Sequence, residues 1–208
     1  MGALPMFPLG SVLFPSLVLP LHVFEERYRA LMHDVVDDDG EFGVCLIERG
    51  SEVGGGDVRS GVGTLATVQE AAELPDGRWA VVTVGVRRIR VVEWLPDDPY
   101  PRAEVEDHPD PVPSEAETEL LGPVTESVHR ALDKVASLGA TATSSTTDLS
   151  DDPVLASYQL SALAPLTILD QQRLLCAPTV GLRLADLHEL LPAAHQMLDL
   201  RLRDAGEG

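Results

Sequence analysis

The sequence predicts an α+β protein: an antiparallel β pseudobarrel with an embedded helix, followed by a C-terminal helical bundle. Three observations carry this. The chain runs uncharged from Met1 to Phe24, broken by Pro5, Pro8, Pro15 and Pro20. Short apolar runs separated by glycine and proline turns then continue to Asp107. After Pro113 the apolar spacing becomes helical.

The opening run is neither a secretory signal nor a membrane span. No Lys or Arg precedes Arg27, and each proline removes an amide donor where lipid offers no substitute. Leu4 to Leu9 and Val12 to Leu21 are expected as two short buried strands with prolines at edges and turns. Phe24, Tyr28, Leu31, Met32 and Val35 then recur at helical spacing, opposite a charged face, and Asp37-Asp38-Asp39-Gly40 ends the helix. Phe42 to Ile47 is a strand apolar on both faces. Glu48 to Ser60, centred on Gly54-Gly55-Gly56, is expected as a mobile loop.

Four strands follow: Val62 to Gln69, Arg78 to Val84, Val86 to Trp94 and Arg102 to Asp107. Pro75-Asp76-Gly77 turns one hairpin, and Gly85 marks a bulge or bend of the kind that curls a sheet. The proline-rich His108 to Pro113 divides the chain into a β subdomain, 1–108, and a helical subdomain, 109–208. Ser114 with Glu117 makes a capping box for a helix that Gly122-Pro123 kinks. The polar stretch 139–150 is expected to be flexible. Three more helices start at Asp152-Pro153, at Thr167 with Asp170, and at Thr179, the last bending or ending at Pro192.

Composition narrows the function. Among 208 residues, 34 acidic side chains face 15 basic ones, for a net charge of −19. Such a surface repels nucleic acid phosphates and anionic lipid. Cys45 and Cys176 read as buried free thiols, which places the protein in a reducing cytoplasm.

The chemistry-bearing motifs are incomplete. His188-Glu189-Leu190-Leu191-Pro192 begins like a zinc helix but has proline at the second ligand's place, with His195 beyond it. Gly61-Val62-Gly63 enters β sequence, whereas a dinucleotide fingerprint opens a helix. Arg87, Arg88 and Arg90 read as a solvated strand surface, Arg88 and Arg90 sharing a face. Lys134, the single lysine, has Ser127 and Ser137 nearby but no sign of the desolvation a Ser-Lys dyad requires. No phosphate-cradling GxxxxGK[ST] loop occurs. No metal and no cofactor is therefore expected.

The candidate binding residues are surface contacts. Glu25, Glu26, Arg27 and Arg29, with Ala30, form a mixed-charge helix face suited to docking a client. Trp79 is expected in the core; Trp94 and the nearby Tyr100 are expected as exposed contacts.

Met6-Phe7-Pro8-Leu9 through Phe14-Pro15 and Leu19-Pro20-Leu21 to Glu26-Arg27-Tyr28, then Phe42-Gly43-Val44, then Gly63-Thr64 to Leu74-Pro75-Asp76-Gly77-Arg78 and Val84-Gly85-Val86-Arg87-Arg88 carry a resemblance. They resemble the N-terminal substrate-binding domain of the Lon ATP-dependent proteases, which also occurs alone and within cereblon. The stretches around Asp152 to Ala156, Gln171 to Leu175 and Arg183-Leu184 look like its helical part. The resemblance implies a PUA-like pseudobarrel plus helices, in a stand-alone form without ATPase or peptidase, since the chain stops at Gly208. It implies a non-catalytic recognition module for unfolded or tagged protein segments, linked to a separate ATP-dependent protease. An open strand edge would offer main-chain hydrogen bonds, and the negative charge favours basic-apolar clients. RNA binding, known for PUA-like barrels, and an unrecognised hydrolase are the alternatives.

Overall fold

The computed structural model describes residues 3–50, 56–139 and 148–206. The chain divides into two compact units, residues 1–109 and 110–208.

In the first unit, β1 (Leu4–Leu9), β2 (Val18–Val23), β3 (Glu41–Arg49), β4 (Val58–Glu73), β5 (Trp79–Leu95) and β6 (Arg102–Asp107) form one sheet. Its order is β2-β5-β4-β3-β1-β6, and β6 also pairs with β5. Five strands thus close a ring, and β2 flanks it. Only β1 and β3 run parallel. The second strand begins at Val18, not Val12, because Ser16 adopts φ 64° and reverses the chain. The strands also reach into the expected loop, β3 to Arg49 and β4 from Val58; its centre, residues 51–55, lies outside the described residues.

β5 is a single long strand where two were expected. Its first half pairs with β2 and its last part with β6, while β4 runs alongside both. The exchange happens at Gly85. Leu65 opposes Arg87 and Ala66 opposes Gly85, which leaves Val86 as a bulge. The Gly85 N–H donates to Leu17 O at 2.9 Å, and its carbonyl accepts from Ser16 N–H at 2.7 Å. A β-carbon on Gly85 would stand 2.5 Å from Phe14 O, so only glycine fits this crossing. Past the bulge the ladder is regular from Arg87 to Arg90, so Arg88 and Arg90 share a side of the strand as expected. The expected solvated surface does not extend to Arg88, which is buried, while Arg87 and Arg90 reach the surface.

The β4–β5 hairpin turns where Pro75-Asp76-Gly77 predicts. Gly77 N–H donates to Leu74 O at 2.8 Å, and Gly77 takes φ 79°. β1 tolerates prolines because Met6 N–H already meets Pro101 O at 2.8 Å on the β6 side. Pro8 turns the same way two residues on, past the end of that short ladder. On β2, the Thr83 hydroxyl donates to Leu19 O, and Leu17 O accepts from Gly85. Those carbonyls face β5, so Val18, Pro20 and His22 turn their backbone groups to the open edge. Pro20 has no N–H to offer there, which interrupts the edge as a template for an added strand.

α1 (Glu26–Asp37) drives Tyr28, Leu31, Met32 and Val35 into the core, where they meet Phe7, Val23, Phe42, Ala66, Trp79 and Val81. Each such side chain contributes about 1.5–3 kcal/mol of burial. Trp79 is core, as expected. Phe24 is not: the helix starts at Glu26, so Phe24 precedes the helical period and stands 59% exposed.

The described part of the second unit contains α2 (Glu115–Thr118), α3 (Leu121–Ser137), α4 (Pro153–Leu163), α5 (Ile168–Cys176) and α6 (Val180–Gly206). The Ser114–Glu117 capping box is present. The expected kinked helix is instead two helices, with Pro123 accommodated in the first turn of α3. Asp152 and Thr167 cap α4 and α5 as anticipated, and the Thr179 hydroxyl accepts from Leu182 N–H at the start of α6. α6 packs on the other four helices through Val180, Leu184, Leu187, Leu191 and Leu198. It continues past Pro192, which lies on its exposed side, while Leu191 and Ala194 stay buried. Residues 140–147 of the polar stretch lie outside the described residues.

The best-satisfied buried charge is Arg183, on α6, with 0% exposure. It donates to Asp110 at 2.7 Å, to the Ser157 hydroxyl at 2.8 Å and to Leu174 O at 3.1 Å. Its guanidinium lies 4.0 Å above the Tyr158 ring, whose hydroxyl donates to Asp110.

Candidate functional site

The first turn of α1 presents an open cleft of about 590 Å³, lined by Glu25, Glu26, Arg27, Ala30 and Pro99. Its walls are organised from the core outward. Tyr28 stacks on Phe7 with ring centroids 4.3 Å apart, and the Arg27 guanidinium lies 4.4 Å from the centre of the Tyr28 ring. Arg27 Nε donates to Glu25 at 3.2 Å, and both side chains are less than one-fifth exposed. This is not a freely solvated helix face. Glu26 alone among the named residues stands fully exposed; Glu25, Arg27, Arg29 and Ala30 are half-buried.

Beside the cleft, a small apolar pocket of about 60 Å³ is lined by Phe7, Leu9, Leu21, Val23 and Tyr28, with Phe24 at its wall. Glu25 borders both spaces. An exposed aromatic ring next to an apolar hole, with charge around it, is suited to holding an apolar side chain of a partner.

Toward the C-terminal end of α1 a second cleft, of about 280 Å³, is lined by Leu4, Pro5, Asp34, Asp38, Asp39, Glu41 and Tyr100. Tyr100 is not an exposed contact. It is buried, and its hydroxyl donates to Asp34 at 2.6 Å, with its pKa pushed up to about 12 by burial and then by the Asp34 carboxylate.

The other expected contacts lie elsewhere. Arg29 lies over the hairpin turn, where a β-carbon on Gly77 would fall 2.2 Å from its guanidinium, so it braces the helix against β4–β5. Trp94 is half-buried against Met6, Cys45, Leu65, Ile89 and Ala103, and Arg59 covers its ring at 5.0 Å. Arg59 is held there by Asp57 at 2.7 Å and Asp97 at 2.8 Å, which also keeps the Asp57 carboxyl below its ordinary range despite its burial. The structure therefore brings Glu25, Glu26 and Arg27 together, places Tyr100 in the neighbouring cleft, and separates Arg29 and Trp94 from both. Sequence reasoning passed over Phe24, Pro99 and Asp34. The sequence carried no local signal for them: Phe24 lies at helical spacing from Tyr28, and only the helix start at Glu26 takes it out of the buried stripe.

Arg88 is buried, and Arg87 and Arg90 are paired with Asp107 and Glu106 at 2.8 and 2.9 Å. Cys45 is buried and its thiol is pushed up to about 12, but Cys176 is exposed, against expectation, because it closes α5 at the surface. Lys134 sits 2.6 Å from Asp199, Ser137 donates to Asp133 O, and Ser127 bonds the His195 ring at 3.0 Å. Among the described residues, no group of three His, Cys, Asp or Glu side chains could hold a metal ion, and no helix is long and apolar enough to cross a membrane.

His195 gives the helical unit a pH dependence. Burial, then Lys134 and Arg130, hold its pKa below the usual histidine value. The folded state thus takes up a proton less readily than the unfolded chain, so stability is complete above the unfolded pKa of about 6.5 and falls as pH drops through it. Urea midpoints at pH 7.5 and 5.5 should differ, and His195→Gln should reduce the difference; an unchanged difference in His195→Gln would refute this.

Comparison with known proteins agrees with this architecture. Residues 3–193 match the model of the ATP-dependent protease La (LON) substrate-binding domain. The chain is 31% identical over 201 residues to Lon protease 2 of Herpetosiphon aurantiacus, covering 95% of this chain and 24% of that protein. It is 37% identical over 123 residues to Lon protease 2 of Myxococcus xanthus, covering 57% of this chain and 15% of that one. The chain thus spans about a quarter or less of the relatives it matches. A Lon N-terminal domain protein from Xanthomonas campestris superposes with a TM-score of 0.65 at 28% identity, over 91% of this chain and 98% of that one. The N-terminal domain of the Mycobacterium avium complex Lon protease superposes with a TM-score of 0.69 at 17% identity, over 92% and 98%, a likeness of fold. With a closed ring of strands, an embedded α1 and a helical C-terminal region, the chain belongs to the Lon substrate-binding domain family.

Proposed function

We propose that this chain is a non-catalytic recognition module that reversibly holds unfolded protein segments at the N-terminal end of α1. Delivery of those segments to a separate ATP-dependent protease is the role that follows from its family. The observation that carries the reading is Phe24, 59% exposed, at the wall of an apolar pocket that adjoins the Glu25–Arg27 cleft. Exposing a phenylalanine to water costs about 1.5–3 kcal/mol relative to burying it, and an apolar client side chain recovers part of that. Contact through side chains is favoured over strand addition, since Pro20 interrupts the open edge of β2. A peptidase or ATPase role has no support from the side-chain arrangements described above.

The test is titration against one protein in two forms, native and permanently unfolded by reduction and thiol blocking, followed by fluorescence anisotropy. The unfolded form should bind and the native form should not. Phe24→Asp should weaken binding about tenfold, or about 1.4 kcal/mol. Glu26→Ala with Arg27→Ala should alter it less. Equal binding of both forms, or an unaffected Phe24→Asp, would refute the assignment.

A further inference from the structure

The two clefts along α1 lie end to end and together make a two-part groove. Ala30, in the first, and Asp34, in the second, are one helical turn apart on the same face. Across from them, Pro99 and Tyr100 are consecutive residues of the β5–β6 loop, and the Tyr100–Asp34 hydrogen bond ties loop to helix at the junction. Leu4, Pro5, Val35, Ala30 and Pro99 supply apolar surface along the way. The rim is acidic: Glu26, Asp34, Asp38, Asp39 and Glu41 stand against Arg27, which is already bonded to Glu25, and Arg102, whose charge acts on the Tyr100 hydroxyl.

That placement runs against the helix. Asp34, Asp37 and Asp38 sit at the C-terminal end of α1, where the macrodipole is negative, and no basic residue occupies the last turn. Carboxylates there repel one another and the helix carbonyls, and a cationic segment lying along the groove relieves both.

The geometry points to a client of defined chemistry: an extended segment in which Lys or Arg alternates with apolar residues, laid along the groove between α1 and the Pro99–Tyr100 loop. This rests on the recognition role proposed above and specifies its substrate class. The twelve residues of α1 span about 18 Å, the reach of about six extended residues.

The test uses labelled octapeptides with alternating Leu and Lys, Leu and Glu, Leu and Ser, and Lys and Ser, measured against the whole chain by anisotropy. The Leu–Lys peptide should bind about tenfold tighter than Leu–Glu at about 0.05 M salt, with the ratio shrinking at about 0.5 M as the charges are screened. Asp38→Lys with Asp39→Lys, both exposed beyond or at the helix end, should abolish that preference, with far-UV circular dichroism confirming the fold. Equal binding of Leu–Lys and Leu–Glu would overturn the charge preference while sparing the recognition role. Equal binding of Lys–Ser and Leu–Lys would overturn the apolar floor. Failure of every peptide would sink the recognition role itself. Sedimentation showing self-association that Leu–Lys peptide cannot displace would make a second copy the occupant and overturn the proposal.

Discussion

Arg183→Ala should destabilise the helical unit by about 3–5 kcal/mol, the effect expected when a buried ion pair loses one partner. Asp110, 5% exposed at its side chain, would be left charged without the guanidinium, and the Ser157 hydroxyl and the Leu174 carbonyl would each lose a buried donor. The cation over the Tyr158 ring would go as well. Urea unfolding followed by far-UV circular dichroism measures the loss. Asp110→Asn keeps the shape and an acceptor, and should cost less. The double variant should be less destabilised than the sum of the singles, because the penalty of Arg183→Ala is largely the stranded carboxylate. A loss below about 1 kcal/mol for Arg183→Ala would show that the pair is solvated in solution, contrary to its geometry.

The second large effect belongs to the ring of strands. Gly85→Val should cost about 3 kcal/mol or prevent folding of the β unit, since its side chain enters space held by Phe14 O at 2.5 Å and by Thr64 Cγ2 at 3.0 Å from the first added atom. The backbone at Phe14 cannot rotate aside as a side chain would; the turn there is fixed by the Ser16 and Leu17 bonds to Gly85 and by Thr64, whose hydroxyl donates to Leu13 O at 2.6 Å. Gly85→Ala should show a smaller loss of the same kind. Near-ultraviolet circular dichroism of Trp79 and Trp94 reports whether the ring still closes. Wild-type stability in Gly85→Val would mean that β5 does not need the close crossing.

What was legible in the sequence was local. The buried stripe of α1, the Pro75–Gly77 turn and the caps at Ser114, Asp152 and Thr167 depend on residues within four positions of each other, and each formed as expected. The glycine at 85 announced a distortion, although its partner, the Phe14 turn, lies far away in the chain. What failed was decided by long-range partners. Tyr100 is drawn inward by Asp34, 66 residues away. Trp94 looked exposed because nothing near it in sequence indicates that Arg59 covers it. Arg88 is buried while Arg90, on the same side of the strand, is exposed, a difference that the alternation of β5 does not announce. Pro192 did not end α6, since the packed leucines on the opposite side hold the helix through it.

The candidate site was half visible for the same reason. Glu25, Glu26 and Arg27 are neighbours and were found together, whereas Pro99 joins them only when the β5–β6 loop comes alongside the helix. Phe24 was misplaced by two residues of helix boundary, enough to move a ring from core to surface.

The most direct measurement is amide hydrogen exchange, read by mass spectrometry with and without saturating unfolded client. The recognition role predicts slowed exchange in peptides covering Val23 to Asp34 and Asp97 to Pro101, with no change in the closed ladder of β3 and β4. Protection confined to other elements, or none at all with client bound, would contradict it.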